Sequence, residues 1–235
     1  MASALLCIES SGNLCSIAFS GFASDVFLSS EPNQKHTEVI LGMIRRGAEA
    51  AGGSLNQLKA VCFGEGPGAF TGLRVACGLA QGLGWALNLP LIPVNTLTAL
   101  AQNHLETLSE GSRLLVATDA RMHECYFAVY RVEDEKLCEV VPASLAKPSD
   151  LLAAADDNGA DLLCGNAFRV YAEEIGDIEG RKILSTEDVN AKMLEPLAQE
   201  YFAQNKTVEP DRASPLYVRN RVALTIEERK AGQTL

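Results

Sequence analysis

Apolar runs over Leu5–Glu9, Leu14–Ser20 and Asp25–Ser29 are separated by the turn sequences Ser10-Ser-Gly-Asn13 and Gly21-Phe-Ala-Ser24, a pattern that predicts an antiparallel meander. The period then changes. Val39, Ile40, Met43, Ile44, Ala48 and Ala51 recur at helical spacing from His36 until Gly52-Gly53 stops the pattern, so a helix is expected over 36–51. A strand over Lys59–Phe63, a glycine-rich turn, a helix over 71–87 and a strand over Leu91–Val94 follow, and the polar stretch His104–Ser112 reads as a boundary.

After that boundary the pattern restarts. Leu114–Asp119 and Glu124–Arg131 read as strands around the turn Ala120–His123. Offset by 110 residues, Leu6–Phe19 and Val116–Val129 align without a gap, pairing Glu9 with Asp119, Cys15 with Cys125 and Ala18 with Ala128. A strand–acid–turn–strand unit at the head of each half predicts two related α/β domains, 1–104 and 105–235, facing a central cleft. Pro148–Ala155 and Leu194–Gln204 read as helices, Asp161–Gly165 as a short strand before a Gly165-Asn166 turn, and Ala213–Arg219 as extended chain. Leu224–Ala231 reads as a closing helix that packs back on the first domain.

Between the strand at 59–63 and the helix at 71–87, Gly64, Gly66, Gly68 and Gly72 crowd into one turn. Such a junction can cradle a phosphate on free backbone N–H groups, or its glycines can answer backbone and packing needs alone. The spacing is neither a P-loop nor the dinucleotide fingerprint. The helix itself has two apolar stripes, Leu73, Ala76, Ala80, Leu83, Leu87 and Gly72, Val75, Leu79, Gly82, Ala86, while Arg74 and Gln81 share a face seven residues apart. It is either a central core helix or one that rests one face on its own sheet and the other on a second protein.

Chemistry is sparse. His36, His104 and His123 are far apart, no HxxxH or CxxC occurs, and His36 reads as a first-turn polar residue. Glu9 and Asp119 could each hold a Mg²⁺-bound water or simply cap a turn. Ser10-Ser-Gly-Asn13 has the glycine and hydroxyls of a phosphate hairpin, whereas Ala120-Arg-Met-His123 has neither. Seven cysteines scattered through apolar runs read as reduced and cytosolic, and the N-terminus lacks the basic start of a signal peptide. A formal net charge of −10 argues against autonomous nucleic-acid binding. No run is apolar enough for a membrane span.

Four segments together resemble the TsaB (YeaZ) family: Ile8-Glu-Ser-Ser11 with Cys15-Ser-Ile-Ala-Phe19, Lys35-His-Thr-Glu38, Gly66-Pro-Gly-Ala-Phe-Thr-Gly-Leu-Arg74 and Ser214-Pro-Leu-Tyr-Val-Arg219. The likeness runs over nearly the whole chain; Glu9 stands where the family usually has Asp, and Ala69 where it usually has Ser. The resemblance implies the duplicated actin/sugar-kinase/Hsp70-like (ribonuclease H-like) fold. It implies a cytoplasmic, non-catalytic scaffold that activates TsaD, with TsaE, for transfer of a threonylcarbamoyl group to adenosine 37 of ANN-decoding tRNAs. It further implies a two-plus-two helix bundle with TsaD, tRNA met only through the complex, and ATP and metal held by partner subunits, and it leaves open a homodimer where TsaD is lacking. On this chain the bundle face maps to His36, Val39, Ile40, Met43, Ile44, Gly72, Val75, Leu79, Gly82 and Ala86. A vestigial nucleotide cleft maps to Glu9, Ser10, Ser11, Gly66, Gly68 and Asp119. An ATP-dependent small-molecule kinase on the same fold and a metallo- or glycopeptidase are the alternatives.

Overall fold

A computed structural model describes residues 2–32, 34–178 and 180–219. The meander forms as expected: β1 (Leu5–Glu9), β2 (Ser16–Ser20) and β3 (Val26–Ser29) pair antiparallel. Helix α1 (His36–Ala50) leads to β4 (Ala60–Gly66), α2 (Phe70–Leu87), β5 (Leu91–Asn95) and α3 (Thr96–Gln102), with β4 parallel to both β1 and β5. The second half lays down β6 (Arg113–Asp119), β7 (Cys125–Glu133), β8 (Lys136–Ala146), α4 (Leu151–Asp157), β9 (Leu162–Cys164), α5 (Ala167–Val170), α6 (Ala172–Ile175), β10 (Lys182–Ser185) and α7 (Ala191–Ala203).

The two sheets repeat one plan. The first runs β3-β2-β1-β4-β5 and the second β8-β7-β6-β9-β10, so each half pairs a three-strand meander with two parallel strands. Glu9 and Asp119 hold equivalent places, each ending the central strand of its sheet and accepting the backbone N–H two residues on, from Ser11 and Arg121. The gapless alignment slips after them. Ser16 stands opposite Glu9 but Cys125 stands opposite Asp119, so the second hairpin is one residue tighter. Cys15 and Cys125 are therefore not equivalent, nor are Ala18 and Ala128.

β1 explains how the halves join. All five of its residues are fully buried because both faces of the sheet are covered. Leu6 and Ile8 point to one core with Ile17, Phe19, Val61 and Phe63, closed by Ile40, Met43 and Ile44 of α1 and Ala76 and Ala80 of α2. Leu5 and Cys7 point to another, shared with Leu97 and Leu100 of α3, Leu194 and Leu197 of α7, and Leu114, Val116 and Tyr130 of the second sheet. Helix α7 follows the second sheet in the chain yet packs on the first: Ala191 N–H donates to Ser16 Oγ at 2.9 Å, and Gln199 Nε2 to the Ser3 carbonyl at 2.8 Å.

Several elements have weak sequence signals. β8 is an edge strand holding Pro142, and the β7–β8 turn places Asp134 and Glu135 at φ of 51° and 59°, where a sequence rule looks for Asn-Gly. Helix α3 starts at an Asn95 cap whose Oδ1 accepts the N–H groups of Leu97 and Thr98 at 2.9 and 3.2 Å. Residues 213–219 form neither helix nor strand. The anticipated helix Leu224–Ala231 lies outside the described residues.

Candidate partner face and interlobe cleft

The glycine-rich turn is filled by the protein itself. A Cβ at Gly64 would fall 1.8 Å from Glu9 Oε2, one at Gly68 2.5 Å from Ser11 Cβ, and one at Gly72 1.8 Å from the Ser10 carbonyl oxygen. The β1–β2 turn thus enters the start of α2 residue by residue, Glu9 over Gly64, Ser11 over Gly68, Ser10 over Gly72. Ser10 Oγ donates to the Gly72 carbonyl at 2.7 Å, and the Ala69 N–H donates to the Ser11 carbonyl at 2.9 Å. Of the two readings left open by the sequence, the packing role accounts for these three glycines. Gly66 has φ of 118°, and a Cβ there would fall 2.8 Å from the carbonyl oxygen of Leu216.

The two acids differ in setting. Glu9 is fully buried, and burial lifts its carboxyl to about 7 against the hydrogen bond from the Ser11 backbone N–H, which pulls the other way. Its Oε1 accepts the Ser11 N–H, while Oε2 has no hydrogen-bond partner among the described residues. Asp119 is fully engaged: Oδ1 accepts the Arg121 N–H and the Tyr171 hydroxyl, both at 2.7 Å, and Oδ2 pairs with the Arg121 guanidinium at 3.0 Å. The turn after it holds Arg121, Met122 and His123 at φ of 63°, 57° and 54°, an unusual run for side-chain-bearing residues.

Side chains tie the halves across the cleft. Arg121 Nη2 donates to Asn13 Oδ1 at 2.8 Å, and Asn13 Nδ2 donates to Asp188 Oδ2 at 3.2 Å. Asn166 bonds to Asp188 and accepts the Asp119 N–H at 2.7 Å. A cavity of about 270 Å³ remains, lined by Ser11, Asn13, Thr71, Arg121, Asn166 and Tyr217 among others. Across its mouth runs the 213–219 segment: the Leu216 N–H donates to the Glu65 carbonyl at 2.7 Å, and Arg219 reaches Glu124 and the Arg121 carbonyl. Sequence reasoning missed Asn13, Arg121, Asn166, Asp188 and Arg219, each of which has a partner 22 to 175 positions away.

The helical face is also redrawn. Ile40, Met43 and Ile44 are buried in the chain's own core, because α1 rides so close to β2 that a Cβ at Gly47 would fall 2.6 Å from Ile17. They cannot form the outer surface mapped to them, and Gly72 is likewise spent on Ser10. His36 Nε2 lies 3.3 Å from the Asn13 carbonyl oxygen. Val39, Val75 and Leu79 are half-buried, and Gly82 and Ala86 are exposed. The outward positions that the sequence reading overlooked are Leu41, 60% exposed, Gly78, and Trp85, the only tryptophan, 68% exposed. Among the described residues, a Cβ at Gly78 or Gly82 would meet nothing within 4 Å. The spacing Gly78-x₃-Gly82-x₂-Trp85 was the available signal.

Twin sheets of one order around a shared interlobe core define a duplicated α/β protein of the ribonuclease H-like class. The family model for TsaD, tRNA N6-adenosine threonylcarbamoyltransferase, matches residues 28–209. The tRNA threonylcarbamoyladenosine biosynthesis protein TsaB of Haemophilus influenzae is 32% identical over 93% of this chain and 94% of its own length. That of Escherichia coli is 34% identical over 81% of this chain and 83% of its own. The solved structure of YeaZ from Pseudomonas aeruginosa superposes with a TM-score of 0.77 at 28% identity, covering 92% of this chain and 99% of that one. The chain belongs to the TsaB family of tRNA threonylcarbamoyladenosine biosynthesis proteins.

Proposed function

We propose that this chain is a non-catalytic scaffold that docks TsaD through the outer faces of α1 and α2 and, with TsaE, supports threonylcarbamoyl transfer to tRNA. The observation that carries the reading is the exposure of Leu41 on α1 and of Trp85 on α2, the latter on one stripe with the open track of Gly78 and Gly82. A large aromatic residue left in water on a glycine-lined helix marks a protein-binding surface, and the missing side chains let a second helix approach closely. The packed β1–β2 turn supports a role without phosphoryl transfer by this chain: Ser10 and Ser11 fill the glycine turn instead of leaving it to a phosphate. In this reading ATP and metal belong to the partners, tRNA is met only in the complex, and a second copy takes the same face when TsaD is absent.

The test is a binding titration of purified TsaD from the same source against the wild-type chain, Gly82→Leu and Trp85→Ala. Each variant is expected to fold normally by circular dichroism and to lose about 2–4 kcal/mol of association, or about 30- to 1,000-fold in affinity. Folded variants with wild-type affinity would place the interface elsewhere.

A further inference from the structure

On α2, Thr71, Arg74, Gly78, Gly82 and Trp85 are all exposed, and their spacing of three, four, four and three puts them on one stripe along the whole helix. A partner helix seated on the glycine track would run toward Arg74. That side chain is unusually well held for a surface arginine. Its guanidinium carbon lies over the Phe70 ring, 3.8 Å from the centroid, and its Nε donates to the Tyr217 hydroxyl at 3.0 Å. The Phe70 and Tyr217 rings pack on each other at 5.4 Å between centroids. Tyr217 belongs to the 213–219 segment, fastened in turn to Gln81 of α2, whose Nε2 donates to the Ala213 carbonyl at 3.0 Å.

What the arginine lacks is an anion. Among the described residues no carboxylate lies within ion-pair distance of Arg74, although Arg121, Arg131, Arg181 and Arg219 each have one. With Nε engaged, the two terminal nitrogens are left as a planar fork beside the open stripe. The rest of the face agrees in charge. Helix α1 exposes Arg45 and Arg46, and of the acids on α1 and α2, Glu38 is already paired with Lys35, leaving Glu49, in a chain of net charge −10. A guanidinium whose orientation is fixed in advance gives up little freedom on pairing, and its fork matches a carboxylate in two parallel hydrogen bonds.

We infer that Arg74, oriented by Phe70 and Tyr217, is a receptor for a carboxylate on the partner's docking helix. The inference rests on the proposed docking of TsaD on α1 and α2. It adds the chemistry of one end of the seam: the partner presents an Asp or Glu where the stripe passes from the glycine track to the cleft mouth, and apolar residues over Gly78, Gly82 and Trp85.

The experiment titrates TsaD against wild type, Arg74→Ala, Arg74→Lys and Gly82→Leu at low and at high salt. Arg74→Ala should weaken binding about 10- to 100-fold and flatten its salt dependence. Arg74→Lys should lose about tenfold, since a point charge cannot reproduce the fork. Thermal melts check that both remain folded; if the alanine variant is impaired, the lysine variant carries the test. Affinity within twofold of wild type in Arg74→Lys, or in a folded Arg74→Ala, would overturn the receptor, and Gly82→Leu tells which claim has failed. If Gly82→Leu still weakens binding, the docking reading stands without the receptor. If it binds like wild type, or wild type does not bind, both fall.

Discussion

Glu9 should make this protein less stable as pH rises from about 4.5 to about 7. The native state holds its carboxyl proton up to about 7, chiefly because the group is fully buried, whereas the unfolded chain releases it near 4.5. Between those values the native state binds more protons than the unfolded state, so raising the pH favours unfolding; above both values the effect is constant. A span of about 2.5 pH units at about 1.36 kcal/mol each gives a loss of about 3 kcal/mol. Glu9→Gln keeps the shape and cannot ionise, so its stability relative to wild type should rise by roughly that amount between pH 5 and pH 8. Urea denaturation of both proteins at pH 5, 6, 7 and 8 measures the difference. Glu195 is also lifted to about 7, first by burial and then by the Asp25 charge, but it is only half-buried and water screens much of its effect. Comparing variant with wild type at each pH cancels that group, and it also cancels His104, whose lowered value works in the opposite direction. A pH-independent difference between Glu9→Gln and wild type would refute the reasoning and mean that the carboxyl is ionised, or titrates normally, in the folded chain.

Two glycines on one helix should respond in opposite ways. Gly72→Ala forces a methyl to within 1.8 Å of the Ser10 carbonyl oxygen, and backbone must move; a cost of about 3 kcal/mol is expected, read as a drop in Tm of about 6–12 °C. Gly82→Ala meets nothing within 4 Å among the described residues. It should stabilise the isolated chain by about 0.5–1 kcal/mol through helix propensity, seen as a small rise in Tm, while lowering affinity for TsaD. A fall in Tm for Gly82→Ala would show that the position is packed rather than open.

Local information in the sequence settled the elements with strong periodicity and their sense of pairing. The apolar run Leu5–Glu9, the turn residues after it and the stripe from Val39 to Ala48 specify strand, hairpin and helix without help from distant residues. The repeat was also legible, because each half begins with a strand that ends in an acid. Tertiary structure decided which face of each helix turns inward. Met43 and Ile44 on the one hand, and Leu41 and Trp85 on the other, are all apolar, and composition does not say which of them meets Phe19 and which meets water; that depends on how closely α1 and α2 lie on the sheet. It also decided what the glycines are for. Their spacing is compatible with a bound phosphate, and only the arrival of Glu9, Ser10 and Ser11 from 55 to 62 residues away shows that the space belongs to the protein's own turn. Contacts of that length depend on where whole elements come to rest, so neither the cross-cleft tie of Asn13, Arg121 and Asp188 nor the seat of Arg74 between Phe70 and Tyr217 has a local sequence signature.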